Sequence, residues 1–120
     1  MALRTWGTIE ALNGAIARLI PLQTDSRLSA AEQALCGELQ QADELALNAM
    51  NAQGIIPGGQ RNARAQQIED KVYALGVVEG NHEDEISPDE FYNAMDLSMD
   101  CATAIRAGVN TFISDLGEGL

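Results

Sequence analysis

The sequence predicts an all-α protein: an antiparallel four-helix bundle with short loops, built by residues 1–120 as a single domain. Apolar residues recur every three or four positions in four separate segments, as in helices that bury one face. Only 4% of the residues are aromatic, alanine is abundant and β-branched residues are few, which favours helix over strand. Short connections between the segments are typical of bundles whose successive helices run antiparallel. No convincing strand is predicted.

The first predicted helix runs from about Leu3 to Ile20, and Pro21 ends it. Its apolar stripe consists of Trp6, Ile9, Leu12, Ile16 and Leu19. A second face is made of very small residues, Gly7, Ala11 and Gly14. Two interpretations of that face stay open: a helix weakened by glycine, or a seam where another backbone approaches closely, a subunit interface included.

The second predicted helix opens with a capping box, because Ser29 stands at the N-cap and Glu32 follows three residues later. Gly54 closes this helix. Its stripe consists of Leu35, Leu39, Ala42, Ala46, Ala49 and Met50, whereas Leu45 and Leu47 lie off the stripe. These two leucines are therefore expected to contact a different neighbour.

The linker, residues 54–60, combines a Pro-Gly-Gly turn with two branched apolar side chains, Ile55 and Ile56. They either tuck back onto the bundle or contact a partner. The third predicted helix covers about Asn62 to Val78, and its inner face consists of Ala65, Ile68, Val72 and Leu75. Its 3.6-residue period predicts one buried side.

The fourth predicted helix begins at the run Ser87-Pro88-Asp89-Glu90, which combines an N-cap serine, a proline at the first helical position and acids in the first turn. Its heptad seam consists of Phe91, Met95, Ser98, Ala102, Ile105, Val109, Phe112 and Leu116. Ser98 is the one polar member of that seam. Sustained 3.5-residue spacing predicts near-parallel packing against other helices, up to the GEGL tail.

The chain is strongly acidic, with 18 acidic residues against 7 basic ones and a formal net charge of -11. No Lys or Arg lies between Val72 and Ile105. An acidic surface repels nucleic-acid phosphates and anionic lipids, so direct nucleic-acid binding and membrane binding are not expected. The expected partners are proteins, a second copy of the chain included.

Two cysteines, Cys36 and Cys101, fall inside predicted helices beside apolar neighbours, which predicts reduced, packed thiols. The first 20 residues are amphipathic and charged, unlike a secretory signal. No apolar run reaches the length of a transmembrane helix. These observations predict a soluble protein of the cytoplasm or another intracellular compartment.

The stretch EGNHEDEISPDE, Glu79 to Glu90, resembles the calcium loop of an EF-hand. The resemblance implies a set of candidate ligands: Glu79, Asn81, Glu83, Glu85 and Glu90. It departs from the motif at Asp84, where the sharp turn of an EF-hand needs glycine. Local helix signals offer a second interpretation, since Gly80 and Asn81 favour a helix stop and Ser87 a helix start. The first interpretation gives a calcium site, and the second gives a turn with no cofactor.

Catalysis is not predicted. His82 is the single histidine, so a histidine-based triad has one candidate in a loop. Phosphate-binding glycine motifs and zinc-ligand patterns are missing from the sequence. Six acids fall in predicted helices without the spacing of paired metal-binding glutamates: Glu38, Asp43, Glu69, Asp70, Asp96 and Asp100.

The leading functional hypothesis is therefore a non-catalytic, acidic helical protein that acts through protein–protein interaction. Its expected forms are an assembly or structural subunit, an adaptor or an inhibitor, a viral or phage accessory or virion protein included, and a homo-oligomer is the expected state. The candidate interaction residues are Ile55, Ile56, Phe91, Met95, Met99 and Tyr92. One alternative is an acidic decoy that occupies the nucleic-acid-binding surface of another protein. The other is calcium binding at residues 79–90.

Overall fold

A computed structural model describes residues 4–114 of the chain, apart from the side chain of Pro88. The helices are α1 (Thr8–Leu19), α2 (Ala30–Gln53), α3 (Gly58–Asn81) and α4 (Pro88–Ala107). Two short strands, β1 (Arg4–Gly7) and β2 (Thr111–Ser114), precede and follow them, and a 3-10 turn occupies Pro21–Thr24. The prediction of a mostly helical protein with four packed helices is confirmed for the described residues.

The four helices form a ring of neighbours around one apolar core. Helix α1 packs against α2 and α4, and α3 packs against the same two helices. Helices α2 and α4 therefore face each other across the core. Buried apolar side chains from every helix meet there, and the largest of them that are fully buried are Phe91, Leu12, Leu19, Leu39, Ile68, Leu75 and Leu97.

Helix α2 begins and ends where its sequence signals predict. The hydroxyl of Ser29 accepts a hydrogen bond from the Glu32 amide at 3.1 Å, and the Glu32 carboxylate accepts one from the Ser29 amide at 2.8 Å. These bonds satisfy amides that the first turn of a helix leaves free. At the other end Gly54 adopts a left-handed φ of 77°, which ends the helix.

The expectation that the chain has no strand is wrong. Residues 4–7, predicted as the start of the first helix, form β1 and pair antiparallel with β2, so that Trp6 lies opposite Phe112. Helix α1 consequently begins at Thr8 rather than near Leu3. Trp6 still belongs to the core, and the Arg4 guanidinium stacks over its ring at 3.8 Å from the centroid. Pairing between strands so far apart in sequence has no local signal.

The fourth helix is shorter than its heptad seam predicts. It ends at Ala107 because Gly108 takes a left-handed φ of 74° and turns the chain back. Two predicted seam residues therefore lie outside the helix: Val109 is exposed, and Phe112 packs against the core from β2. Leu116 lies outside the described residues.

Within α4 the buried face is wider than a heptad seam. It consists of Phe91, Ala94, Leu97, Ser98, Cys101, Ala102, Ala104 and Ile105. Met95 sits at its edge, half-buried. Of the predicted small-residue face, Gly7 lies in β1, Ala11 is fully buried in α1, and a Cβ on Gly14 would lie 3.3 Å from Leu97 of α4. This seam is thus a contact between α1 and α4 within the chain.

Helix α3 extends beyond the predicted Asn62–Val78 at both ends. Its first turn begins at Gly58, directly after Pro57, and its last turn includes Gly80 and Asn81.

The linker before α3 packs against the bundle through Ile56, which is 1% exposed. The carbonyl of Ile56 accepts a hydrogen bond from Arg61 Nε at 3.0 Å. Ile55 is half-buried.

Replacing Gly108 with alanine is expected to lower the free energy of unfolding by about 1–2 kcal/mol, because a left-handed φ is strained for residues with a Cβ. The new Cβ would also lie 2.5 Å from the Arg61 guanidinium, which must move. Urea denaturation monitored by circular dichroism measures the change.

Gly80→Ala is the matched control for Gly108→Ala. Gly80 lies inside α3 and a Cβ there meets nothing within 4 Å, so alanine should leave stability unchanged or raise it by up to about 1 kcal/mol. Equal losses in the two variants would contradict the assignment of Gly108 as the residue that ends α4.

Candidate interaction surface

The candidate calcium ligands are divided between two helices and the turn that joins them. Glu79 and Asn81 lie in α3, and Glu90 lies in the first turn of α4. Only Glu83 and Glu85 lie in the turn itself. Within residues 4–114, no group of three or more His, Cys, Asp or Glu side chains is placed to hold a metal ion.

Three of these carboxylates have protein partners in different places. Glu79 is 6% exposed and accepts a hydrogen bond from the Tyr92 hydroxyl at 3.3 Å. Glu85 contacts His82, and Glu90 accepts from the Ser87 amide at 3.1 Å. The three carboxylates thus contact three different partners, and only the contact of Glu90 is a helix-capping bond.

His82 links the turn between α3 and α4 to the start of α2. Its Nδ1 lies 2.9 Å from a Glu85 carboxylate oxygen, and its Nε2 lies 3.0 Å from Glu32 Oε1. The side chain is 13% exposed. The pKa of His82 is raised above its ordinary 6.5, because hydrogen bonds to two carboxylates stabilise the imidazolium. The hydrogen bond to Glu85 contributes most, followed by the one to Glu32.

Arg27 ties the same turn to the loop before α2. It donates to the Glu85 carbonyl at 3.0 Å and forms ion pairs with Asp25 at 2.6 Å and Glu90 at 3.2 Å. Hydrogen bonds from Arg27 lower the pKa of Asp25 to about 2. Ile86, 2% exposed, inserts into the core beneath this polar layer. The acidic turn is therefore held in place on both its charged and its apolar sides.

The other ion pairs neutralise acids away from this turn. Lys71 pairs with Glu38 at 2.6 Å, Arg4 with Glu10 at 2.8 Å, and Arg106 with Glu69. The pKa of the Tyr92 phenol is raised above 10.0, first by the negative charge of Glu79, then by burial, and to a smaller extent by the charges of Glu83 and Asp96. Tyr92 thus lies in a strongly negative field.

The six predicted interaction residues differ in accessibility. Phe91 is fully buried and Ile56 is 1% exposed, so both belong to the core of the chain and do not lie on its surface. Ile55, Met95 and Met99 are half-buried, and Tyr92 is 43% exposed. Of the six, Tyr92 alone is a large side chain with a substantial free surface.

Sequence reasoning missed two of the most exposed apolar side chains in the described part. Tyr73 and Val77 are each 66% exposed and lie one turn apart on α3. They form what we call the α3 outer face. A helical projection of α3 places both opposite its buried positions, so their exposure could have been found from the 3.6-residue period. Ile113 of β2, 67% exposed, had no such signal because β2 was not predicted.

A groove between α2 and α3 has mixed character. Its lining consists of Glu38, Gln41, Ala42, Leu45, Gln67, Asp70 and Lys71. The Lys71–Glu38 ion pair joins the two helices here, and Leu45 is 47% exposed. Leu45, predicted to contact a different neighbour, therefore contributes apolar surface to an otherwise polar groove.

The six acids considered for catalysis do not form one site. Glu38 and Glu69 are paired with bases on other helices, and Asp70 accepts from Gln66 at 2.7 Å. Asp43 is fully buried and accepts from Ser98 Oγ at 2.9 Å. Glu38 and Asp70 line the groove between α2 and α3, whereas Asp43 lies in the core.

Both cysteines are buried, free thiols. Burial raises the pKa of Cys36 to about 11, and it raises the pKa of Cys101 further. The thiolate is the nucleophilic form of cysteine, so both side chains are in their unreactive form at neutral pH.

Comparisons with protein-family models, with curated proteins and with solved structures found no match to this chain. Within the described range, no helix combines the length and the apolar character that crossing a membrane requires.

The imidazole of His82 is expected to titrate above 6.5, and Glu85→Gln is expected to lower its pKa. Because the folded-state pKa is raised, the stabilisation is complete below pH 6.5 and is lost as the pH rises through the pKa of the folded chain. His82 is the only histidine, so one set of imidazole proton signals in an NMR titration reports the pKa directly.

Glu83→Gln is the control for this titration, since it removes a charge from the same turn but no hydrogen bond to His82. It should lower the pKa of His82 less than Glu85→Gln does. A wild-type pKa at or below 6.5 would contradict the two carboxylate contacts.

Proposed function

We propose that this chain is a non-catalytic, acidic helical protein that works by binding another protein surface, a second copy of itself included. The observation that carries the proposal is the α3 outer face, where Tyr73 and Val77 are each 66% exposed. Tyrosine and branched apolar residues lose water favourably on association, and tyrosine is enriched at the centres of interfaces. An adaptor, an inhibitor or an assembly subunit would use such a surface.

The placement of charge supports a protein partner. No Lys or Arg occurs from Val72 to Ile105, and the carboxylates of Glu79, Glu83 and Asp96 lie around Tyr92. A partner that carries basic residues beside apolar ones would match a tyrosine in a negative field. The acidic field would also accelerate encounter with such a partner at low ionic strength.

The environments of the chemically reactive side chains support a role other than catalysis. Both ring nitrogens of His82 face carboxylates, which favours the imidazolium over a free base. The thiols of Cys36 and Cys101 are buried with raised pKa values. These groups serve the packing and the local contacts of the fold.

We also infer that successive helices of the bundle run antiparallel. The connections are short: residues 54–57 join α2 to α3, and residues 82–87 join α3 to α4. Connections of this length return the chain along the helix that it has just left.

An acidic decoy is the second candidate, and the surplus of acids favours it. The chain has 18 acidic residues against 7 basic ones, and several bases are already paired with acids of the chain itself. The remaining carboxylates would present a negative surface to a basic, nucleic-acid-binding face.

Association with poly-L-lysine, used as a probe, should weaken steeply as salt is raised. An affinity independent of salt would exclude the decoy.

Light scattering on a sizing column is expected to show a defined oligomer that persists in high salt, because apolar contacts are not screened by ions. The double substitution Tyr73→Ser and Val77→Ser should reduce the mass while the helical circular dichroism stays unchanged. Both side chains project outward from α3, so the fold does not need them.

Gln66→Ser is the matched control, since Gln66 is exposed on the same helix and carries no apolar surface comparable to Tyr73. It should leave the mass unchanged. A wild-type chain that is monomeric in both low and high salt would contradict self-association through the α3 outer face.

A further inference from the structure

The middle of α2 carries a carboxylic acid in the centre of the bundle. Asp43 is 0% exposed, and its Oδ2 accepts a hydrogen bond from Ser98 Oγ of α4 at 2.9 Å. Helices α2 and α4 face each other across the ring of helices, so this bond crosses the core instead of running along its surface. The other carboxyl oxygen, Asp43 Oδ1, is buried and has no hydrogen-bond partner among residues 4–114.

The surroundings of Asp43 do not favour a negative charge. On α4, Cys101 lies one turn after Ser98 with a buried thiol, and Asp100 is acidic. On α1, Thr8 contacts Cys101 through its carbonyl, and its buried hydroxyl has no hydrogen-bond partner in the described part of the chain. On α2, the adjacent Glu44 opposes a second negative charge.

The buried side chains of α3 are apolar, namely Ala65, Ile68, Val72, Leu75 and Val78, apart from Glu79, whose carboxylate accepts a hydrogen bond from Tyr92 near the end of the helix. Its Lys71 is held by Glu38 at the surface. The Ser98 hydroxyl is therefore the group in the described core that hydrogen-bonds the carboxylate. One hydroxyl is a weak substitute for the water that an ionised carboxylate loses on burial.

We propose that Asp43 is a proton-controlled lock between α2 and α4. With a proton on the carboxyl the two helices stay closed across the core. When the proton leaves, the carboxylate requires water, and the helices separate locally around Asp43 and Ser98 to admit it.

The pH range of the lock follows from burial. Desolvation raises the pKa of Asp43 from 3.8 to about 7 in the folded chain, against the opposing hydrogen bond from Ser98. Below pH 3.8 the carboxyl is neutral in both the folded and the unfolded chain. Between 3.8 and about 7 the unfolded chain has lost the proton that the folded chain retains, so stability falls as the pH rises. The unfolding equilibrium constant should therefore rise by about tenfold per pH unit in this range.

Asp43→Asn tests the lock, because it keeps the shape of the side chain and removes its charge. Urea denaturation of the wild-type chain should show stability that falls between pH 5 and 7, and Asp43→Asn should remove most of that slope. The residual slope belongs to His82, whose raised pKa acts in the same direction. The control Asp70→Asn alters an exposed carboxylate of α3 and should retain the wild-type slope. Equal slopes in the wild-type chain and Asp43→Asn would overturn the proposal.

A direct titration decides the matter even if Asp43→Asn does not fold. Carboxyl carbon NMR of wild-type protein labelled at aspartate should show one signal of the eight aspartates titrating near pH 7. Ser98→Ala should move that midpoint upward, because it removes the bond that favours the charged form. If none of the eight signals titrates above the ordinary range of aspartate near 3.8, the lock does not exist.

Opening is measured by hydrogen exchange of the amides around Asp43 and Ser98. After correction for the intrinsic effect of pH, exchange should accelerate as the pH rises toward 7 and level off above it in the wild-type chain, and it should not accelerate in Asp43→Asn. Corrected rates that do not change with pH in the wild-type chain would overturn the separation of the helices.

Discussion

Burial of four apolar helix faces against one another is the constraint on which this structure depends, and small residues decide how closely the helices approach. Ala11 and Ala15 of α1 are fully buried, and Gly14 leaves room for Leu97 of α4. Such close packing leaves little space for water in the core. A polar side chain inside the core therefore depends on partners within the chain, and the contact between Asp43 and Ser98 is such a partnership.

Signals from neighbouring residues predicted much of the fold. The parts that depend on contacts between distant residues could not be predicted. The two ends of α2, the capping box at Ser29 and the left-handed Gly54, could be predicted from the sequence because each depends on a few adjacent residues. In contrast, the predicted fourth helix continued past Gly108. The spacing of apolar residues alone does not reveal that this glycine ends the helix and turns the chain back. Strand pairing between residues 4–7 and 111–114 joins opposite ends of the sequence, and no local pattern encodes it.

The candidate surface was predictable to a similar degree. The exposure of Tyr73 and Val77 follows from the helical period of α3, whereas the burial of Phe91 in α4 depends on how its neighbours pack. Ser98 stood out as the polar member of its seam, but its partner on α2 could not be identified from spacing. The sequence also did not indicate that α3 continues through Glu79 and Asn81, so the division of the candidate ligands between two helices and a turn could not be predicted.

The short β-sheet has a mechanical consequence. Arg4 lies opposite Ser114, so the two ends of the described chain leave the bundle side by side. A force that pulls these ends apart acts on the paired residues of β1 and β2 one pair at a time. It begins at the pair Arg4–Ser114 and proceeds toward Gly7–Thr111. Each residue pair bears the whole force in turn. The two strands therefore separate before the force acts on the helices. Resistance to such a force therefore depends on the pairing of β1 with β2.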